Sequence, residues 1–184
     1  MIIDKFLWTA RALAYKPLLK NIGFPSYIGN PLNIIGYKKI SIGKNVRIYP
    51  NIRLEVHGKN SKVIIEDDVG IAQNVHITCN GKLVIGKGSV ILANVFITNI
   101  DHDYSQIDVP ILRQKQILKE TRIGENCFIG IGAAIQAGTI LGKQCIVGTN
   151  SVVRGEFPDY CVIAGNPAKI IKQYNFETNQ WERI

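Results

Sequence analysis

The sequence predicts an all-β chain wound as a parallel β-helix of about six triangular coils, with one helix ahead of the coils and one long loop inserted into them. Two observations carry this expectation. From Ile123 onward every sixth residue is aliphatic (Ile123, Ile129, Ile135, Leu141, Val147, Val153), and Phe157 ends the series. Glycine directly follows four of these, as Gly124, Gly130, Gly142 and Gly148. A period of six is neither helical nor simple strand alternation. It fits short strands joined by tight corners, one aliphatic residue pointing inward per side, three sides to a coil.

In chain order, residues 1–20 read as an amphipathic helix. Ile3, Phe6, Leu7, Ala10, Leu13, Ala14 and Leu18 follow helical spacing, with Lys5, Arg11 and Lys16 off the stripe, and Pro17 stops the run. Such a helix lies on a membrane interface or packs on its own oligomer, and packing is the preferred reading. The coils are expected over 34–165, in triplets Ile42, Ile48, Leu54, then Ile65, Ile71, Ile77, then Ile85, Ile91, Ile97. The spacing between triplets puts short insertions at 57–61 and 79–82 and a true excursion at 99–119. Long loops on a regular scaffold are more often functional than ornamental. Residues 166–184 form a C-terminal cap.

With 184 residues, 46% of them hydrophobic, the chain has material for one compact domain. No apolar run reaches membrane-spanning length, and the N-terminus lacks the pattern of a secretory signal, so a cytoplasmic protein is expected. Contact through residues 1–20 would place it peripherally on the inner face of the membrane. Four cysteines show no CxxC pair; Cys127 and Cys145 share a hexad phase and read as packing residues. The net charge of +8 favours anionic partners.

The hexads, the loop around His102 and the ending Ala164-Gly165-Asn166-Pro167-Ala168-Lys169 together resemble the hexapeptide-repeat acyltransferases. Within that family the likeness is to the galactoside, maltose and capsular-polysaccharide O-acetyltransferase branch, over about residues 34–172. The resemblance implies a left-handed coil, a homotrimer with sites between subunits, and acetyl-CoA as acyl donor to a sugar hydroxyl, without metal or nucleic acid. Surface-polysaccharide synthesis in bacteria is the setting it implies.

An alcohol is a weak nucleophile at neutral pH, so a general base helps most, and histidine suits the task. Of His57, His76 and His102, only His102 lies in the excursion, and it matches the family's base. Asp101 and Asp103 flank it as candidate orienting groups. Asn94 is another, although it shares a phase with Asn51 and Asn74 and equally fits a structural amide ladder. Tyr104, Ser105, Arg113, Lys115 and Lys119 suit an acceptor sugar or a solvated loop. The resemblance places CoA along Phe128, Gly130 and Gly132 and then Gly148 and Thr149, with Arg154 and Lys169 at its phosphates. Many relatives carry tryptophan where Phe128 stands and a polar residue near Ile131, which weakens any side-chain oxyanion donor there.

Three alternatives use the same scaffold. One is N-acylation of an amino sugar or a small foreign molecule. A zinc carbonic anhydrase needs three histidines, but 57, 76 and 102 lack the close pair those enzymes use. A non-catalytic repeat surface needs neither the loop nor the GxPAK ending.

Overall fold

The structure, a computed structural model, describes residues 2–184; the side chains of residues 2 and 3, Ile3 of the apolar stripe among them, lie outside the described residues. Each coil contributes one short strand to each of three faces. The second face stacks Tyr27–Ile28, Arg47–Ile48, Gly70–Ile71, Val90–Ile91, Phe128–Ile129, Ile146–Val147 and Cys161–Gly165 in parallel. On the other two faces, the long strands Arg53–Ile65 and His76–Ile85 turn a corner, so one 11-stranded sheet wraps both. The pairing slips between His57 and Lys62, where the spacing requires the first insertion.

Register is held by the inward aliphatic row. Ile22 pairs with Ile42, Ile42 with Ile65, Ile65 with Ile85 and Ile85 with Ile123. Nearly all of this row is sealed from solvent, Ile65 at 1% and Ile85 at 0% exposure. The coils begin earlier than position 34. Asn21–Ile22, Tyr27–Ile28 and Asn33–Ile35 form a complete first coil. Its inward Ile22, Ile28 and Ile34 keep the period, but Ile22 and Ile34 are covered from one side only and stay half-buried.

Corners demand a left-handed backbone. At the corner between faces two and three, Asn51, Asn74, Asn94 and Asn150 take φ of 63°, 58°, 61° and 55°, and Gly132 takes 70°. Asparagine and glycine tolerate that region best. The amides also stack: Asn51 Nδ2 donates to Asn74 Oδ1 at 3.2 Å and Asn74 Nδ2 to Asn94 Oδ1 at 3.1 Å.

Each end of the stack is partly covered, which protects open sheet edges. Helix α1 (Ile2–Tyr15) lies over the first coil. Trp8 packs on Tyr27 and Tyr49 with centroids 5.7 and 5.5 Å away, Ala12 joins the core, and Arg11 Nη1 donates to the Ile28 carbonyl at 3.1 Å. At the far end, Ala168–Asn175 pairs antiparallel with Cys161–Gly165 and then with Gln180–Arg183. The four cysteines are buried free thiols, and burial pushes the Cys79 thiol up to about 12.

One ionic cluster sits on face three. Glu55, 7% exposed, accepts from Arg53 Nε at 2.7 Å and Asn33 Nδ2 at 3.2 Å, with His76 Nε2 3.4 Å away. Burial alone would raise its carboxyl; the bonds from Arg53, His76 and Asn33 outweigh that and hold it below its ordinary value. A carboxylate depressed by folding stabilises above its unfolded pKa, and that contribution fades as pH falls through the folded one. Glu55→Gln is therefore expected to destabilise by about 1–3 kcal/mol at pH 7. Urea midpoints measured from pH 7 down through the ordinary carboxylate range should show the gap to wild type closing below that range.

Candidate active site

The excursion is a built structure. Its two ends pair as an antiparallel hairpin, Ile100–His102 against Gln116–Leu118, with Asp101 opposite Ile117 and His102 opposite Gln116. Asn99, 1% exposed, anchors the base: its Oδ1 accepts from Asn80 N at 2.8 Å and its Nδ2 donates to Asn80 O at 3.0 Å. Thr121 Oγ1 donates to the Thr98 carbonyl at 2.9 Å, closing the loop where it rejoins the coil. Gln114 pins the tip, donating to the carbonyls of Gln106 and Val109 and accepting from Gln106 N.

This hairpin overhangs face three and encloses a cavity of about 330 Å³. His102 lines it with Asp101, Phe96, Thr78, Thr98, Gln136 and Arg154. The Nδ1 of His102 is buried and has no hydrogen-bond partner among the described residues. Leaving a buried polar nitrogen unpaired costs about 1–3 kcal/mol, so its position calls for a reason other than packing. Asp101 does not grip the imidazole. Its Oδ1 accepts from the His102 backbone N–H at 2.9 Å, and its Oδ2 accepts from Arg154 Nη2 at 2.6 Å. The aspartate thus ties the backbone of His102 to the next-but-one coil.

Arg154, expected at the CoA phosphates, lines the His102 cavity, where it donates to Asp101. It directly follows the inward Val153 of face three, as Gln136 follows Ile135 and Thr98 follows Ile97. That phase puts it at the His102 end of the face. Thr78, Thr98, Gln136 and Arg154 form one outward column, one residue per coil, and sequence reasoning left the first three out. The signal was present: in the C-terminal run the inward aliphatics of faces one and two are followed by glycine, whereas Ile135 and Val153 are followed by Gln136 and Arg154.

The remaining cofactor candidates do assemble, along a different edge. Phe128 is 43% exposed on face two. Gly130 and Gly132 turn the corner beyond it, Gly148 and Thr149 turn the same corner one coil on, and Lys169 pairs across from Ala164. A Cβ on Gly130 would stand 2.7 Å from Thr149 N and 2.7 Å from Val147 O, so the two corner segments are in backbone contact. Asn94 belongs to this edge, not to the His102 cavity. Its ladder stops there because the next coil carries Gly132, which offers no amide for the following rung. The residues present therefore fit a long ligand laid along backbone corners, with an ammonium at one end. His57 is exposed, and His76 stays with Glu55. Among the described residues no three His, Cys, Asp or Glu side chains gather as a metal site.

Residues 120–155 match the family described as "Bacterial transferase hexapeptide (six repeats)". Over 169 residues the chain is 35% identical to WbbJ of Escherichia coli K12, a match covering 88% of this chain and 83% of that protein, whose name assigns it to lipopolysaccharide biosynthesis as an O-acetyl transferase. The chain belongs to the hexapeptide-repeat acetyltransferases. Its left-handed β-helix is shared with AntD, an N-acyltransferase of Bacillus cereus solved with dTDP-4-amino-4,6-dideoxyglucose and coenzyme A: TM-score 0.77, 20% identity, 91% of both chains. A galactoside acetyltransferase solved with coenzyme A overlaps at TM-score 0.59 and 20% identity, over 91% of this chain and 71% of that one.

The Asp101–Arg154 pair makes a prediction that separates it from a phosphate contact. Arg154→Ala should lower kcat about tenfold or more while the KM for acetyl-CoA changes by less than about twofold. Steady-state kinetics decides: a raised KM for acetyl-CoA at unchanged kcat would return Arg154 to the cofactor.

Proposed function

We propose that this acyltransferase moves an acetyl group from acetyl-CoA to a sugar hydroxyl in bacterial surface-polysaccharide synthesis, in the cytoplasm, with His102 as general base. The observation that carries the assignment is the His102 ring, lining the loop-covered cavity with an unpartnered buried nitrogen. Acetyl-CoA supplies an activated thioester. His102 takes the acceptor hydroxyl proton as the oxygen attacks the thioester carbonyl. The same imidazole then returns that proton to the departing thiolate. Asp101, fixed by Arg154, holds the backbone of His102 at the cavity wall. Phe96 gives the acceptor an apolar surface, while Thr78 and Gln136 offer hydrogen bonds.

The reading includes a homotrimer. Within one subunit the His102 cavity and the edge carrying Asn94, Phe128, Gly130, Gly132, Gly148, Thr149 and Lys169 lie at opposite margins of face three. A neighbouring copy would bring its own edge against the cavity, and the open rung at Asn94 would then face the reacting groups.

N-acylation of an amino sugar is the second reading, favoured by the extent of the overlap with AntD. Mass spectrometry of products from paired hydroxyl and amino acceptors separates the two, since only one gives an ester.

His102→Ala is expected to lower turnover at least about a hundredfold with CoA affinity nearly unchanged in calorimetry. Near-normal turnover would place the base elsewhere. Asn94→Ala is expected to be impaired as well. Coexpressing the two variants should restore part of the activity, because mixed trimers would contain some sites with both residues intact. Activity no higher than that of the separate variants would place both residues in one subunit's site.

A further inference from the structure

Helix α1 is turned the unusual way. A surface helix ordinarily buries its apolar stripe and leaves the polar face in water. Here the face against the coils carries Trp8, Arg11, Ala12 and Tyr15. The apolar stripe points out: Phe6 is 74% exposed, Leu7 54%, Leu13 53%, and Leu18 just beyond the helix 45%. Phe24 and Leu32, at 66% and 71%, add apolar surface at two corners of the first coil, at the same end of the stack. Exposed apolar surface of this extent marks an interaction site.

Charge identifies the partner. Residues 1–40 hold Lys5, Arg11, Lys16, Lys20, Lys38 and Lys39 against a single acid, Asp4, so five of the chain's eight net positive charges lie in this end. Lys5 and Lys16 edge the exposed stripe on one side and Arg11 on the other. Laying a second copy of the same face on this one would set like charges opposite each other. Among the described residues no helix is long and apolar enough to cross a membrane, so the surface can lie on a bilayer without α1 spanning it.

We infer that the α1 end of the stack is a docking surface for an anionic lipid bilayer, with Phe6, Leu7, Leu13 and Leu18 entering the interface and the lysines meeting the headgroups. The inference deepens the proposed function without depending on its chemistry. Counted at ~4.8 Å per coil, the His102 cavity would stand roughly 15–25 Å above the first coil. That height suits an acceptor sugar held out from the membrane on a carrier.

The test is cosedimentation of the full-length protein with vesicles. Wild type should pellet with phosphatidylglycerol–phosphatidylcholine vesicles, remain in solution with phosphatidylcholine alone, and be released as salt rises toward ~1 M. Phe6→Gln with Leu13→Gln should weaken partitioning about tenfold or more, and Lys5→Glu with Lys16→Glu should abolish the preference for anionic lipid. All four positions are exposed or edge the exposed face, and circular dichroism verifies that the variants fold. Failure of wild type to bind anionic vesicles overturns the inference. So does a change of oligomeric state in Phe6→Gln/Leu13→Gln with vesicle binding intact, which would assign the face to a second copy. Acetyl transfer to a soluble acceptor is assayed separately, so loss of lipid binding and loss of the enzymatic reading remain distinct.

Discussion

Everything in this molecule depends on one row of contacts, the aliphatic side chains that point inward once per side and touch their counterparts in the next coil. A single coil cannot shield Ile65 or Ile85; the coils above and below do so. Keeping that stack in register fixes the position of every corner. Corners then require left-handed backbone, which is why asparagine and glycine recur there. The outward residues inherit the same registry. A column of one residue per coil forms at each outward position, and such columns bring together residues that are remote in the chain.

This explains why some of the site was legible in the sequence and some was not. The period of six located the coils, and the irregular gap between Ile85 and Ile123 located the loop that bears His102. The residues of Phe128, Gly130, Gly148 and Thr149 share a corner because their spacing is a coil apart. The place of Arg154 on face three follows from its phase behind Val153, but its bond to Asp101 does not. Its partner Asp101 is 53 positions away on an inserted loop, which no repeat arithmetic can register. The first coil was legible and overlooked: Ile22, Ile28 and Ile34 keep the period, but a break of eight residues to Ile42 hides it.

Helix α1 shows a different limit. Helical periodicity identifies two unlike faces, but it does not say which face the rest of the protein will take. Aromatic residues decided that here. Trp8 and Tyr15 find Tyr27, Tyr49 and Tyr37 on the first two coils, and the small Ala12 lets the helix approach closely enough to meet the core. The aliphatic stripe is left outside as a consequence. The overall charge of +8 likewise has an address: most of it sits at this end rather than around the His102 cavity.

The solenoid also constrains how a two-substrate reaction is arranged. Asn94 stands where face three begins and Thr98 where it ends, about 13 Å apart for four extended residues. A straight face cannot fold its two margins together, since bending it would break the aliphatic row. The hairpin at 99–119 gives one margin an overhang, and close-packed glycine corners edge the other. Each margin alone lacks what the other has: His102 on one, a track of close backbone corners on the other. On a triangular prism those surfaces meet when prisms stand side by side, so the proposed site shared between copies would leave the stack undisturbed.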